Sequence, residues 1–300
     1  MAQELLTYHT AMSSLDSDKW QEAMIVEHQS IVDAGTWEVH DRKDLSSGQQ
    51  AINSWWVFKV KLNADGLIEH YKARLVVKGY SQLAGIDYEE TFAPVIRYDS
   101  LRLIIALAVN LGLVLEQLDI KTVFVNGKLK KEIWMTPPSG IGLDGEVLLP
   151  KKALYGLKQT LLIWYEKLSS VLAKMGFNLL NFDPCVFIYF NEERKTIIVV
   201  YVEDLTIVGV RQDLDALVDG LKIHFEVAVK GPLSWLLGFE VQQYKYTTKL
   251  SQQLYIDQLL ERFEMSNLNP VSTPLEQNKH ADRKVIRYLI AVTDKVVRLG

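Results

Sequence analysis

A single cysteine, Cys185, stands in 300 residues. No intrachain disulfide can form and no cysteine zinc cluster is available, a usage that fits a reducing compartment. The six histidines (His9, His28, His40, His70, His224 and His280) are scattered without metal-ligand spacing and read as structural or surface residues. Long apolar runs are missing too. The greasiest segment, Leu101 to Leu115, is interrupted by Arg102 and Asn110 and is too short to span a bilayer. The opening MAQELLTYHT carries an early Glu4 and no apolar core of a secretory leader. These absences predict a soluble intracellular protein with no membrane partner, in the cytoplasm, with the nucleus left open. A large excess of one charge sign is also absent: 33 Lys and Arg oppose 37 Asp and Glu, for a net −4. That balance lacks the basic footprint usual for nucleic-acid binders.

What is present is an ordinary globular composition, 48% apolar and 23% charged, long enough for one large domain or two moderate ones. Charge is uneven along it. Trp56 to Tyr80 carries five basic residues against Asp65 and Glu69, net +3, and Lys279 to Gly300 carries six against Asp282 and Asp294, net +4. Such patches suit phosphate binding or plain solvated surface equally well on charge alone.

Periodicity predicts a helix over Asp18–Ala34, with Asp18 and Gln21 spaced as a capping box, Trp20, Met24 and Ile31 on the buried side, and Gly35 as a stop. Residues 41–53 read as a loop. Trp56–Leu62 and Glu69–Val77, parted by an Asn63-Ala64-Asp65-Gly66 turn signal, predict a hairpin. Lys72 and Arg74 alternate with Ala73 and Leu75, so both cations leave by one face. Asp87–Asp99 reads as loop, Ser100–Val109 as helix, and Leu113–Ile120 as a strand placing Gln117 and Asp119 on one face. Leu161, Trp164, Leu168, Leu172 and Met175 recur at helical spacing. Phe182–Phe190 reads as strand, Leu214–Phe225 as helix, Ser234–Gln243 as strand around Gly238, and Tyr255–Phe263 as a last helix before a loop at Pro270 and Pro274. Helices on one face of a small antiparallel sheet make an α+β, palm-like domain.

Within this order, IIVVYVEDLTIVG (residues 197–209) sets Glu203–Asp204 between two runs of β-formers. An ordinary exposed turn would account for it in isolation. Two adjacent carboxylates on an apolar hairpin repel each other, however, unless water or a shared cation relieves them. With Asp119 at the end of its own strand, three carboxylates converge on one sheet edge. Oxygen-only ligands suit Mg²⁺ or Mn²⁺, and two such ions, about 3.5–4 Å apart, serve in-line phosphoryl transfer.

The chain resembles the reverse transcriptase of copia-type LTR retrotransposons. WVFKVK (Trp56–Lys61), YKARLVVKGYSQLAGIDYEETFAPV (Tyr71–Val95), LDIKTVFVNG (Leu118–Gly127), LYGLKQ (Leu154–Gln159), YVED (Tyr201–Asp204), LGFEV (Leu237–Val241) and LSQQLYI (Leu250–Ile256) occur in that family's order and about its spacing. The resemblance implies a right-hand polymerase fold: a helical lead-in over 1–50, fingers and palm with the start of a thumb over 51–275, and a divergent tail over 276–300. It implies RNA-directed DNA polymerase activity on a template with primer, RNA or DNA, using deoxynucleoside triphosphates and two Mg²⁺ or Mn²⁺, with other parts of a retroelement polyprotein as partners. Asp119, Glu203 and Asp204 take the places of the metal-binding catalytic carboxylates. Lys72 and Arg74 look like triphosphate binders, Phe124 like the aromatic that crowds the sugar 2′ position, and Gln159 like part of the nucleotide pocket. Gly156 and Lys158 resemble the template path, and Leu237–Gly238 the primer-grip turn.

Two departures stand out. The family hairpin reads YVDD, and Glu203 replaces its first aspartate with a side chain one methylene longer. LYGLKQ is normally followed by Ala-Pro-Arg, where Thr160, Leu161 and Leu162 stand here. A degenerate or domesticated remnant that keeps the fold and nucleic-acid binding is the alternative expectation, and a structural scaffold is a third.

Overall fold

The computed structural model describes residues 7–62, 67–121, 123–143, 145–192, 194–244 and 247–267. In chain order the elements are α1 (Tyr8–Met12), α2 (Ser17–Asp33), β1 (Trp37–Asp41), β2 (Ser54–Leu62), β3 (Ile68–Val77), α3 (Tyr98–Leu111), β4 (Val114–Ile120), β5 (Glu146–Pro150), α4 (Thr160–Lys174), β6 (Asn178–Leu180), β7 (Asp183–Phe190), β8 (Lys195–Tyr201), β9 (Asp204–Gly209), α5 (Arg211–Lys222), β10 (Val227–Pro232), β11 (Trp235–Leu236), β12 (Phe239–Gln243), β13 (Thr248–Ser251) and α6 (Gln253–Arg262). The Asn63–Gly66 turn signal, the Pro270/Pro274 loop and the 276–300 tail lie outside the described residues.

The body is a six-stranded antiparallel sheet in the order β10-β4-β9-β8-β7-β6. Alternate residues of its central strands (Leu118 and Ile120, Leu205 and Ile207, Ile198 and Val200) meet one apolar face built by α4 and α5. Trp164, Leu168 and Leu172 of α4 and Leu214, Leu217 and Leu221 of α5 supply that face at helical spacing. The other side of the same strands is buried as well, at Leu115, Ile197, Val199 and Val208. Covered on both faces, these strands read as continuous apolar runs rather than as an alternation. Helix α3 lies against β4 and ends at Gly112, whose φ of +64° gives it the left-handed cap that glycine adopts without strain.

A second core joins α1 and α2 to the two-stranded sheet β2–β3: Trp20, Met24 and Ile31 pack with Trp56, Phe58, Ala73 and Leu75. The expected capping box of α2 does not form. The N-cap is Asp16, which makes no side-chain cap bond, and its carboxylate goes instead to Lys19 at 2.8 Å. Strands β1 and β5, more than a hundred residues apart in sequence, pair with each other from Trp37↔Pro150 to Asp41↔Glu146.

The acidic hairpin closes one residue earlier than its sequence suggests. Tyr201 and Asp204 form the last cross-strand pair, so Val202 and Glu203 make the turn and Asp204 belongs to β9. Val202 takes φ +55°, a region in which β-branched residues are outliers. Two hydrogen bonds hold it there. The buried Trp164 indole donates to the Val202 carbonyl at 2.7 Å, and the Ile120 N–H donates to the Glu203 carbonyl at 3.3 Å.

The chain divides into two compact units, residues 1–234 with 241–249, and residues 235–240 with 250–300. In the second, Trp235↔Glu240 and Leu236↔Phe239 pair around a turn of Leu237 and Gly238, both at positive φ (+53° and +81°), the signature of a type I′ hairpin.

Candidate active site

Strand pairing brings the carboxylates together. Asp119 of β4 stands directly opposite Asp204 of β9, and Glu203 lies in the adjoining turn. All three sit at partial exposure, with 30% of the Asp119 side chain and 29% of the Glu203 side chain open. Burial pushes the Glu203 carboxyl above its ordinary range; Asp119 and Asp204 add to that shift, and Arg74 and Lys72 oppose it. Burial likewise raises Asp204, with Asp119 adding to it, against a 3.1 Å hydrogen bond from Gln117 Nε2 to Asp204 Oδ1 and the field of Lys230. Carboxylates crowded and half-buried in this way favour a nearby cation.

Protein cations answer that demand. Arg74, on the basic hairpin, brings Nη2 to 3.8 Å from Glu203 Oε2, and Lys230 of β10 brings Nζ to 3.5 Å from Asp119 Oδ2. Among the described residues no three His, Cys, Asp or Glu side chains are gathered as a metal ion requires. The donor chemistry itself, carboxylate oxygens whose burial and mutual repulsion call for a positive charge, fits a hard divalent cation.

The predicted nucleotide-binding residues are distributed around this edge. The Arg74 guanidinium lies 5.3 Å from the centre of the Tyr155 ring, and Tyr155 meets Phe124 edge-on at 5.1 Å. Lys72 leaves β3 on the same face as Arg74; burial first, then the neighbouring Arg74 and Lys61, hold its ammonium below the usual lysine range. Gln159 is buried and already engaged: Gln82 Nε2 donates to its Oε1 at 3.1 Å, and its Nε2 donates to the Asp87 carbonyl at 3.2 Å. Lys158 gives its backbone N–H to Gln82 Oε1 at 2.8 Å and its ammonium to Tyr88 Oη at 3.1 Å. Both residues therefore shape the loop through Gln82 and the 82–88 segment. Gly156, at φ +97°, lets two backbones touch: a Cβ there would stand 2.1 Å from the Val77 carbonyl oxygen. Leu237 and Gly238 belong to the second unit, as the hairpin turn described above.

Sequence reading overlooked Lys230, Tyr155, Gln82 and the anchoring role of Trp164. Period-two geometry puts Gln117 on the face of Asp119, and the structure shows its amide donating to Asp204.

An antiparallel sheet presenting paired carboxylates beside a basic hairpin defines the molecule as an α+β palm-type domain. The family described as reverse transcriptase (RNA-dependent DNA polymerase) matches residues 36–277. The chain is 38% identical over 281 residues to the retrovirus-related Pol polyprotein from transposon TNT 1-94 of Nicotiana tabacum, covering 91% of the chain and 21% of that protein. It is 35% identical over 271 residues to the retrovirus-related Pol polyprotein from transposon RE1 of Arabidopsis thaliana, covering 89% of the chain and 18% of that protein. Among solved structures, that of a foamy viral protease-reverse transcriptase in complex with double-stranded DNA aligns with TM-score 0.41 and 11% identity, over 92% of this chain and 40% of that one. The chain belongs to the reverse transcriptase (RNA-dependent DNA polymerase) family. It spans about a fifth of the length of those two relatives.

Proposed function

We propose that this chain is an RNA-directed DNA polymerase domain that extends a primer 3′-hydroxyl with deoxynucleotides, working in the cytoplasm as part of a retroelement polyprotein. The observation that carries the reading is the register that sets Asp119 against Asp204, with Glu203 in the turn beside them and Arg74 of the basic hairpin in reach. In this reading residues 51–275 are fingers, palm and the start of a thumb, 1–50 a helical lead-in and 276–300 a divergent tail.

Asp119 and Asp204, with Glu203, would hold two Mg²⁺ or Mn²⁺, which supply Lewis-acid stabilisation of the attacking and departing oxygens when bound. Arg74 and Lys72 bind the triphosphate as paired cations, and the Tyr155 ring keeps the Arg74 guanidinium oriented while it does so. Phe124 crowds the sugar 2′ position, and the Gly156–Gln159 loop shapes the pocket and template path. Leu237–Gly238 serves as the primer grip.

The Arg74–Glu203 contact favours a second reading, a remnant that binds template and primer but polymerises poorly: the longer carboxylate is engaged by the arginine that the triphosphate needs. Primer extension on an RNA template, with Mg²⁺ and with Mn²⁺, separates the two. A working polymerase extends the primer and loses at least about a hundredfold in Asp119→Asn. Extension seen only after Glu203→Asp marks the remnant. Silence in both proteins, with salt-sensitive duplex binding retained, removes polymerisation from the reading.

A further inference from the structure

Lys230 sits where β10 bulges. Val229 pairs with Leu118 and Gly231 with Gln117, so Lys230 is the extra residue between two pairs. A bulge bends its strand and re-aims a side chain. Here it brings the ammonium to 3.5 Å from Asp119 Oδ2. Ala228 stands directly opposite Asp119, and its single methyl leaves that approach open. Gly231 leaves the bulge at φ +84°, a conformation glycine adopts without strain. A lysine on an edge strand also discourages strand addition, a role that does not by itself account for the 3.5 Å approach to Asp119.

We propose that Lys230 is a resident counter-ion of Asp119, which a divalent cation must displace, so that the protein's own lysine weakens metal binding at this carboxylate. The inference rests on the reading of Asp119 as a metal-holding residue. With Lys230 in place, Asp119 keeps a compensating positive charge before any metal or substrate arrives. An incoming cation then gains less than it would from an uncompensated carboxylate. The displaced side chain, 54% exposed already, swings outward from the edge strand without opening the core.

The test is Mn²⁺ binding to the whole chain, followed by calorimetry or by the paramagnetic resonance signal of free Mn²⁺, with no nucleotide and no turnover. Lys230→Met is expected to tighten Mn²⁺ about three- to tenfold, and Lys230→Arg to stay within about twofold of the parent. Lys121→Met is the control. Lys121 follows the same strand and feels Asp119, but its ammonium is paired with Glu226 at 2.6 Å. Equal tightening in Lys121→Met and Lys230→Met would reduce the effect to net charge and overturn the proposal, as would an unchanged Lys230→Met. Asp119→Asn separates the two levels. If it abolishes Mn²⁺ binding while Lys230→Met is silent, only the counter-ion fails. If it leaves Mn²⁺ binding intact, the metal-site reading fails and the counter-ion with it.

Discussion

The two hairpins that meet at the site are held by opposite means. The β8–β9 hairpin is buried on both faces, and its turn is fixed from beneath by one side chain, the Trp164 indole on the Val202 carbonyl. The β2–β3 hairpin forms a sheet of its own, with α2 behind it and Lys72 and Arg74 partly buried on its other face. Its inner end is fixed by backbone on backbone, where Val77 N–H donates to the Tyr155 carbonyl at 2.8 Å and Gly156 packs on the Val77 carbonyl. The carboxylates thus stand at the partly exposed edge of a sheet whose strands run through the core. The cations Lys72 and Arg74 ride on a two-stranded arm.

Breaking the first anchor should have the largest effect. Trp164→Ala removes a buried ring and the hydrogen bond on a strained turn, and is expected to cost about 3–5 kcal/mol in chemical denaturation. Gly156→Ala attacks the second anchor. A methyl at positive φ, 2.1 Å from a carbonyl oxygen, forces the backbones apart, for an expected loss of about 2–3 kcal/mol by the same measurement. Val202→Gly sharpens the comparison from the other side. It relieves the left-handed strain and should raise stability by about 0.5–1 kcal/mol if the Trp164 bond survives, which thermal unfolding will register.

The smallest effect is one of pH. Asp204 is raised in the folded state chiefly by burial, so the folded protein binds its proton more tightly than the unfolded chain. The stability this confers is fully present below the ordinary aspartate range and is lost as pH rises through the raised value. Asp204→Asn should therefore be more stable than the parent at neutral pH, and the difference should shrink as the solution is acidified below that range. A difference that grows on acidification would contradict the assignment.

Much of this geometry was legible in the sequence where a simple period held. Alternation along β4 put Asp119 and Gln117 on one face, and the β-formers flanking Glu203–Asp204 marked both strands of the hairpin. The turn itself was misplaced by one residue, because no local rule puts a valine at positive φ. Hydrogen bonds from Trp164, 38 residues away in the chain, and from the Ile120 N–H hold it there. Strand β10 was missed because Ala228, Lys230, Gly231 and Pro232 carry weak strand propensity, and its pairing is supplied by β4 on one side alone. With β10 went Lys230. The amide of Gln159, which the resemblance sets at the nucleotide pocket, is held by Gln82 and Asp87, partners that no spacing in the sequence announces.

Helix α4 gives these parts a common ruler. Its N-cap is Gln159, at the end of the Leu154–Gln159 loop; Ile163, one turn on, lies against Gly127, just after the Phe124 segment; and Trp164 reaches the carboxylate turn. At 1.5 Å per residue, the five steps from Gln159 to Trp164 fix an axial distance of about 7.5 Å. The Gln159 loop, the Phe124 segment and the acidic turn are thereby indexed to one rigid rod. A helix started one residue early or late would shift all three gauges at once and rotate the indole about 100° off its carbonyl. Insertions and deletions in the first turn of α4 should be far less tolerable than substitutions there.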